Sequence, residues 1–280
     1  MAVILVPTAD RPECVFALDV AFRLAEMVNA NVAGCHVRPQ RREASTDTTV
    51  SRRVTEAEST ESGPIDSAGA RRLFAEAARS RGYAVTRRFA ARHRQRAVWQ
   101  ELVGSPARAL GIAGPVADFS VVSRPKPQGG GRAREFLLAA LLDTGRPVLV
   151  LPQRRLRELA QRVVIAWNQS PEAAAAVTAA LPLLKRAERV VIVSAGPENR
   201  AGPKSSQLSQ YLATFDVKSE RIRTRGREVE LEIHEVYRDV RADLLVMGAY
   251  SRSRLREILF GGVTEHMLFT TNVPVFLLHR

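Results

Sequence analysis

The sequence predicts an α/β fold made of two tandem five-stranded parallel-sheet domains. Three observations carry that prediction. Short, wholly apolar runs alternate with helical periodicity along the 280 residues, as they do where helices cover both faces of a parallel sheet. The order of these runs repeats. Val3-Ile4-Leu5-Val6 returns as Val163-Val164-Ile165-Ala166, Ala117-Asp118-Phe119-Ser120 returns as Ala242-Asp243-Leu244-Leu245, and Pro147-Val148-Leu149-Val150 returns as Pro274-Val275-Phe276-Leu277. Between the copies, residues 153–158 are charged and poor in core residues, as a linker is. The expected domains are residues 1–153 and 154–280.

In the first domain, residues 3–6 form the opening strand. Residues 41–66 are rich in Ser, Thr, Glu and Arg and lack apolar periodicity, so they form a loop or a poorly packed helix. Residues 67–79 are helical, with Leu73, Phe74 and Ala77 on one face. A strand follows at 98–103, and Pro106 opens the next helix. The second domain begins with a strand at 163–166. Ser170 is a good N-cap, Pro171 suits the first helical position and Glu172 complements the dipole. Ala173, Ala176, Val177, Ala180, Leu181 and Leu184 then share a helical face, and Pro182 should bend or shorten its last turn. Strands are expected at 190–193, 217–222, 244–247 and 273–278, and helices at 205–213, 228–240 and from Thr264. Ligands of such open sheets sit beyond the carboxyl ends of the strands at the switch point. Loops 7–10 and 123–131 lie there in the first domain, and 167–170 and 248–262 in the second.

Composition narrows the function. The net charge is +13, from 42 basic and 29 acidic residues. The densest basic cluster, Arg87-Arg88 and Arg92-His93-Arg94-Gln95-Arg96 near Trp99, has the make-up of a single-strand binder. Elsewhere the arginines stand beside acids such as Glu158, Glu188 and Glu228, so nucleic acid is not the expected partner. No apolar stretch approaches the ~20 residues that span a bilayer, and the first residues lack a signal-peptide pattern; the expected location is cytoplasmic. Cys14 and Cys35 give neither a disulfide framework nor a metal spacing and are expected as buried free thiols. The five histidines, His36, His93, His234, His266 and His279, show no ligand spacing. No catalytic constellation and no metal site are expected. Asp10, at the exit of the first strand, reads as a loop residue.

One motif carries chemistry. The run Leu244-Leu245-Val246-Met247 enters Gly248, and Gly261-Gly262 precede Val263-Thr264-Glu265. A strand entering glycine, a loop, then glycines opening a helix is how an α/β fold builds a phosphate cradle, because bare backbone lets N–H groups approach an anion. The segment from Ala242 to Glu265, with Ile165-Ala166-Trp167-Asn168-Gln169-Ser170-Pro171-Glu172, resembles the universal stress protein family, and the duplication is similar to its tandem members. The resemblance implies a Rossmann-like (adenine nucleotide alpha hydrolase-like) fold and a stress-response binding or regulatory module rather than an enzyme. Its ligand would be ATP or another adenine nucleotide, with Mg²⁺. The nucleotide-binding residues it implies are Ala166, Trp167, Asn168, Gly248, Ser251, Arg252, Gly261, Gly262, Val263 and Thr264. Two alternatives remain, a slow nucleotide hydrolase and an Arg-rich nucleic-acid-binding protein.

This chain departs from the family pattern Gly-x-x-Gly, nine residues, Gly-Ser/Thr at three points. Ser251 replaces the second glycine, Gly262 replaces the hydroxyl residue, and Asn168 stands where the family carries an acid. The first domain departs further, with Ser123 in the place of Gly248 and prolines at 125 and 127. It is therefore not expected to bind nucleotide in the family manner. Family members often pair their final strand across a dimer interface. A tandem chain can make that contact internally through Val148–Leu151, as a pseudo-dimer, with or without a further homodimer.

Overall fold

The computed structural model describes residues 3–39, 67–89, 95–126, 130–249 and 262–279. In the first half, β1 (Val3–Pro7), α1 (Pro12–Val28), β2 (Asn31–Arg38), α2 (Ser67–Ser80), β3 (Ala84–Thr86), β4 (Arg96–Val103), α3 (Pro106–Ala113), β5 (Phe119–Ser123), α4 (Gly131–Asp143) and β6 (Val148–Leu151) follow in order. The second half holds β7 (Arg162–Ala166), α5 (Pro171–Leu184), β8 (Arg189–Ala195), α6 (Ser205–Ala213), β9 (Glu220–Thr224), α7 (Val229–Asp239), β10 (Leu244–Gly248), α8 (Gly262–Glu265, continued by a π turn His266–Thr270) and β11 (Val275–Leu278). The strands form one eleven-stranded sheet in the order β3-β4-β2-β1-β5-β6-β11-β10-β7-β8-β9. Each half starts at its central strand, steps outward twice, then crosses to the other side. The topologies match, apart from the short edge strand β3, which the sequence does not announce because its three residues are half-exposed or exposed.

Every strand pairing within a half is parallel. The one antiparallel pairing joins the halves: Val275, Phe276 and Leu277 of β11 face Val150, Leu149 and Val148 of β6. The contact expected between the two terminal strands is thus made inside one chain. All four residues of each strand are buried, and Phe276 meets Phe119 of β5 edge to face at 5.5 Å. Both faces of the sheet carry a continuous apolar layer. One includes Phe22, Phe74, Ile165, Val177 and Phe276; the other Leu5, Leu137, Val164, Leu245 and Met267.

Arg124 adds a polar tie across the same junction. It is 6 % exposed, and its Nη2 donates to the carbonyls of Met267 and Val273 at 2.9 and 2.6 Å. Nothing in the sequence marks this residue, since its partners lie more than 140 positions away. Burial pushes its guanidinium down to about 10, so it stays charged near neutrality.

Several boundaries differ from the sequence reading for identifiable reasons. Val217 belongs to the end of α6: Asp216 adopts φ 62° and the Val217 N–H returns to Leu212 O, which closes the helix by a left-handed residue. The strand therefore starts three residues later. At β11, Val273 N–H is bonded to Thr271 Oγ1 and Pro274 has no donor, so pairing begins at Val275. Helix α5 continues through Pro182 to Leu184. The carbonyl of Thr178, which the proline leaves without a donor, belongs to an exposed residue that water can reach. Cys14 and Cys35 are buried free thiols as expected, and burial raises them to about 11 and 12. Trp99 is a packing residue, with its ring against Phe74 and His36. No described helix is long and apolar enough to cross a membrane.

Candidate functional site

The second-half switch point lies between β7 and β10. These strands are neighbours, and the chain leaves them in opposite directions along the sheet. Met247 pairs with Ala166, so Gly248 comes beside Trp167 at the carboxyl edge. The structure therefore brings Ala166, Trp167, Asn168 and Gly248 together. Gly262, Val263 and Thr264 open α8 after the β10 loop; Val263 is half-buried and Thr264 is buried. Ser251, Arg252 and Gly261 lie outside the described residues, as do Arg254 and Tyr250.

Each residue of the β7–α5 turn has a definite task. Trp167 is buried; its backbone N–H donates to Val193 O and its indole N–H to Pro203 O at 2.9 Å. Both of its N–H donors are thus committed within the protein. Asn168 is exposed, and its Oδ1 accepts from Ser170 N–H at 3.1 Å, the local turn Asx side chains favour. Gln169 adopts φ 62°. Its buried amide exchanges bonds with Arg200 N–H, Arg200 O and Gly202 O, at 3.2, 3.1 and 2.9 Å. Ser170 caps α5 by accepting from Ala173 N–H at 3.1 Å, satisfying one of the helix's orphan donors.

Gly248 has a packing task. A Cβ there would lie 2.5 Å from Ala173 N and 2.9 Å from the carbonyl carbon of Glu172. The bare backbone lets β10 end directly against the first turn of α5. Glu172, expected only as a dipole residue, also carries a buried Oε2 with no hydrogen-bond partner among the described residues.

The loop after β8 walls the turn and hangs on Glu198, which sequence patterning misses because its partners are scattered. Its Oε1 accepts from Ser194 Oγ and Ser205 N–H at 2.7 and 2.8 Å, and Arg223 stands 3.6 Å from Oε2. Burial alone would push this carboxyl up, but the Ser194 and Ser205 donors with Arg223 outweigh it and hold it below the usual carboxylate range. A carboxyl depressed in the fold stabilises above its unfolded pKa, and that contribution disappears as pH falls through the folded value. Glu198→Gln should lower stability by about 1 kcal/mol at pH 7. The gap to wild type should close as denaturation is repeated at pH values falling below about 4. A gap that persists or widens in acid would rule out this role.

The first half presents the same edge with different chemistry. Ser123 takes the place of Gly248 and donates its hydroxyl to Glu13 O at 2.7 Å. Seven residues (124–130) separate β5 from α4, against thirteen (249–261) between β10 and α8. Gly130 is needed for that short closure, since a Cβ there would sit 2.4 Å from Lys126 O.

Comparison with known proteins places this arrangement. The model of the universal stress protein family matches residues 160–279. A universal stress protein of Methanocaldococcus jannaschii is 37% identical over 49 residues, which is 18% of this chain and 30% of that protein. The match thus spans less than a third of that relative's length. Among solved structures, a universal stress protein from Archaeoglobus fulgidus superimposes with a TM-score of 0.68 at 16% identity, covering 99% of this chain and 98% of that one. A functionally unknown protein from Pseudomonas aeruginosa does so with a TM-score of 0.58 at 14% identity, covering 99% and 92%. These two likenesses establish the fold over the whole length, and the sequence of the second half, residues 160–279, matches the universal stress protein family.

Proposed function

We propose that the second half binds an adenine nucleotide, ATP in the first instance, and that the protein is a stress-response binding module rather than a catalyst of turnover. The observation that supports this reading is the meeting, at the β7/β10 switch point, of the exposed Asn168 turn with the strand that feeds the glycine-bearing segment before α8. Backbone N–H groups at the α8 start would face the phosphates. Asn168 would offer its amide to the nucleoside end without charge. If Mg²⁺ accompanies the phosphates, Glu172 Oε2, in the first turn of α5 and without a hydrogen-bond partner among the described residues, would be a carboxylate oxygen available to it. Gly262 in place of a hydroxyl residue weakens the cradle by about tenfold relative to a Ser or Thr there.

The test is thermal unfolding of the full chain with and without ATP and Mg²⁺. A ligand that binds only the folded state at about 100 times its Kd adds about 2.7 kcal/mol. A concentration-dependent rise in Tm is expected, reduced in Asn168→Ala. No shift at millimolar ATP would remove the nucleotide reading. Steady phosphate release by wild type that Asn168→Ala lacks would replace the binding module with a slow hydrolase.

A further inference from the structure

The first half carries a cleft at its own switch point, between the ends of β1 and β5. Pro7, Ala17, Val122, Ala133 and Phe136 give it an apolar floor and walls, and Cys14 lies at its base. Its charged lining is Arg11, Glu13 and Arg132, one net positive charge. The hydroxyls that line it are already spent: Thr8 Oγ1 donates to Val6 O at 2.9 Å and Ser123 Oγ to Glu13 O at 2.7 Å.

Arg132 stands at the mouth. Its guanidinium carbon lies 5.8 Å from the centre of the Phe136 ring, and its one protein hydrogen bond among the described residues is a long one, 3.4 Å, to Val37 O. Its remaining N–H groups are uncommitted there. Arg11 is held loosely, 3.9 Å from Glu13. Helix α4 starts at this mouth behind Gly130 with no side-chain cap, whereas α3 and α5 are capped by Ser105 and Ser170.

We propose that this cleft binds a small carboxylate with a short apolar body, such as a medium-chain fatty acid. The apolar floor takes the body, and the Arg132 fork at the rim takes the planar head. The chemistry disfavours a nucleotide. A base edge and ribose need polar partners, and the lining hydroxyls are turned onto backbone carbonyls. A triphosphate needs a row of N–H groups, and the loop after Ser123 is short and contains Pro125, which has none. A single net positive charge suits a monoanion, because added negative charge would meet Glu13. The Cys14 thiol, raised to about 11, adds a neutral and soft surface.

Isothermal titration of the full chain with octanoate, with octanamide as the neutral isostere and inorganic phosphate as the tail-free anion, tests this. Octanoate should bind at least about tenfold more tightly than either control. Arg132→Met, which keeps the apolar stem of a half-exposed side chain, should weaken octanoate by about tenfold and leave any ATP-induced Tm shift unchanged. Octanoate no tighter than octanamide overturns the proposal, and so does undiminished octanoate binding by Arg132→Met. ATP that competes with octanoate and loses its own effect in Arg132→Met would make this a nucleotide cleft and overturn it too. Octanoate binding without any ATP response would support this proposal and sink only the second-half reading.

Discussion

Replacing Phe276 with alanine should destabilise the whole chain by about 3–5 kcal/mol, the usual range for deleting a fully buried phenyl ring. Phe276 has no exposed surface and occupies the middle of β11, paired with Leu149 of β6. Its ring meets Phe119 of β5, so the lost contacts belong to both halves. The two tryptophans make the consequence readable, since Trp99 lies in β4 of the first half and Trp167 follows β7 in the second. Urea unfolding followed in single-tryptophan variants should show both reporters falling to lower midpoints together in Phe276→Ala. Leu231→Ala, at a 43 % exposed position, should change either midpoint little, within about 0.5 kcal/mol. A Phe276→Ala protein in which only the Trp167 transition moves would show that the junction does not bind the halves into one cooperative unit.

The parts of this architecture that were legible are those whose signal is local. Buried parallel strands read as apolar runs, Ser170-Pro171-Glu172 announced α5 in the expected place, and residues 205–213 proved to be α6 residue for residue. The family resemblance, taken with the duplication, also implied that β6 and β11 would meet. What stayed hidden depends on contacts between distant positions. Arg124 reaches carbonyls of the other half, Glu198 is fixed by Ser194, Ser205 and Arg223, and Gln169 ties its turn to Arg200 and Gly202. Polar residues of these kinds are common on surfaces, and only the fold shows that these three hold segments together. The candidate site was legible as a position in the topology. The chemistry of its loop rests on Ser251, Arg252 and Gly261, which lie outside the described residues.

Gly248 shows how one glycine supports two readings, and Gly248→Ala separates them. The added methyl would sit 2.5 Å from Ala173 N, 2.9 Å from Glu172 C and 3.0 Å from Ala173 Cα. All three are backbone atoms, so no flexible side chain can yield. The first turn of α5 is itself pinned by the Ser170 cap and by Pro171 at the first helical position. Relief must come from moving either the end of β10 or the start of α5, and overpacking of this kind costs about 1–3 kcal/mol. Nucleotide-free Gly248→Ala should therefore unfold at a lower denaturant concentration than wild type. A glycine kept only for phosphate would give unchanged nucleotide-free stability and a loss confined to the ATP-dependent shift. The first half supplies the counter-test: Ser123→Gly should lose only the hydrogen bond to Glu13 O, about 1 kcal/mol, because the longer side chain already fits there. If Gly248→Ala costs nothing without ligand, the close seating of β10 on α5 is wrong, and the glycine returns to the phosphate side of the account.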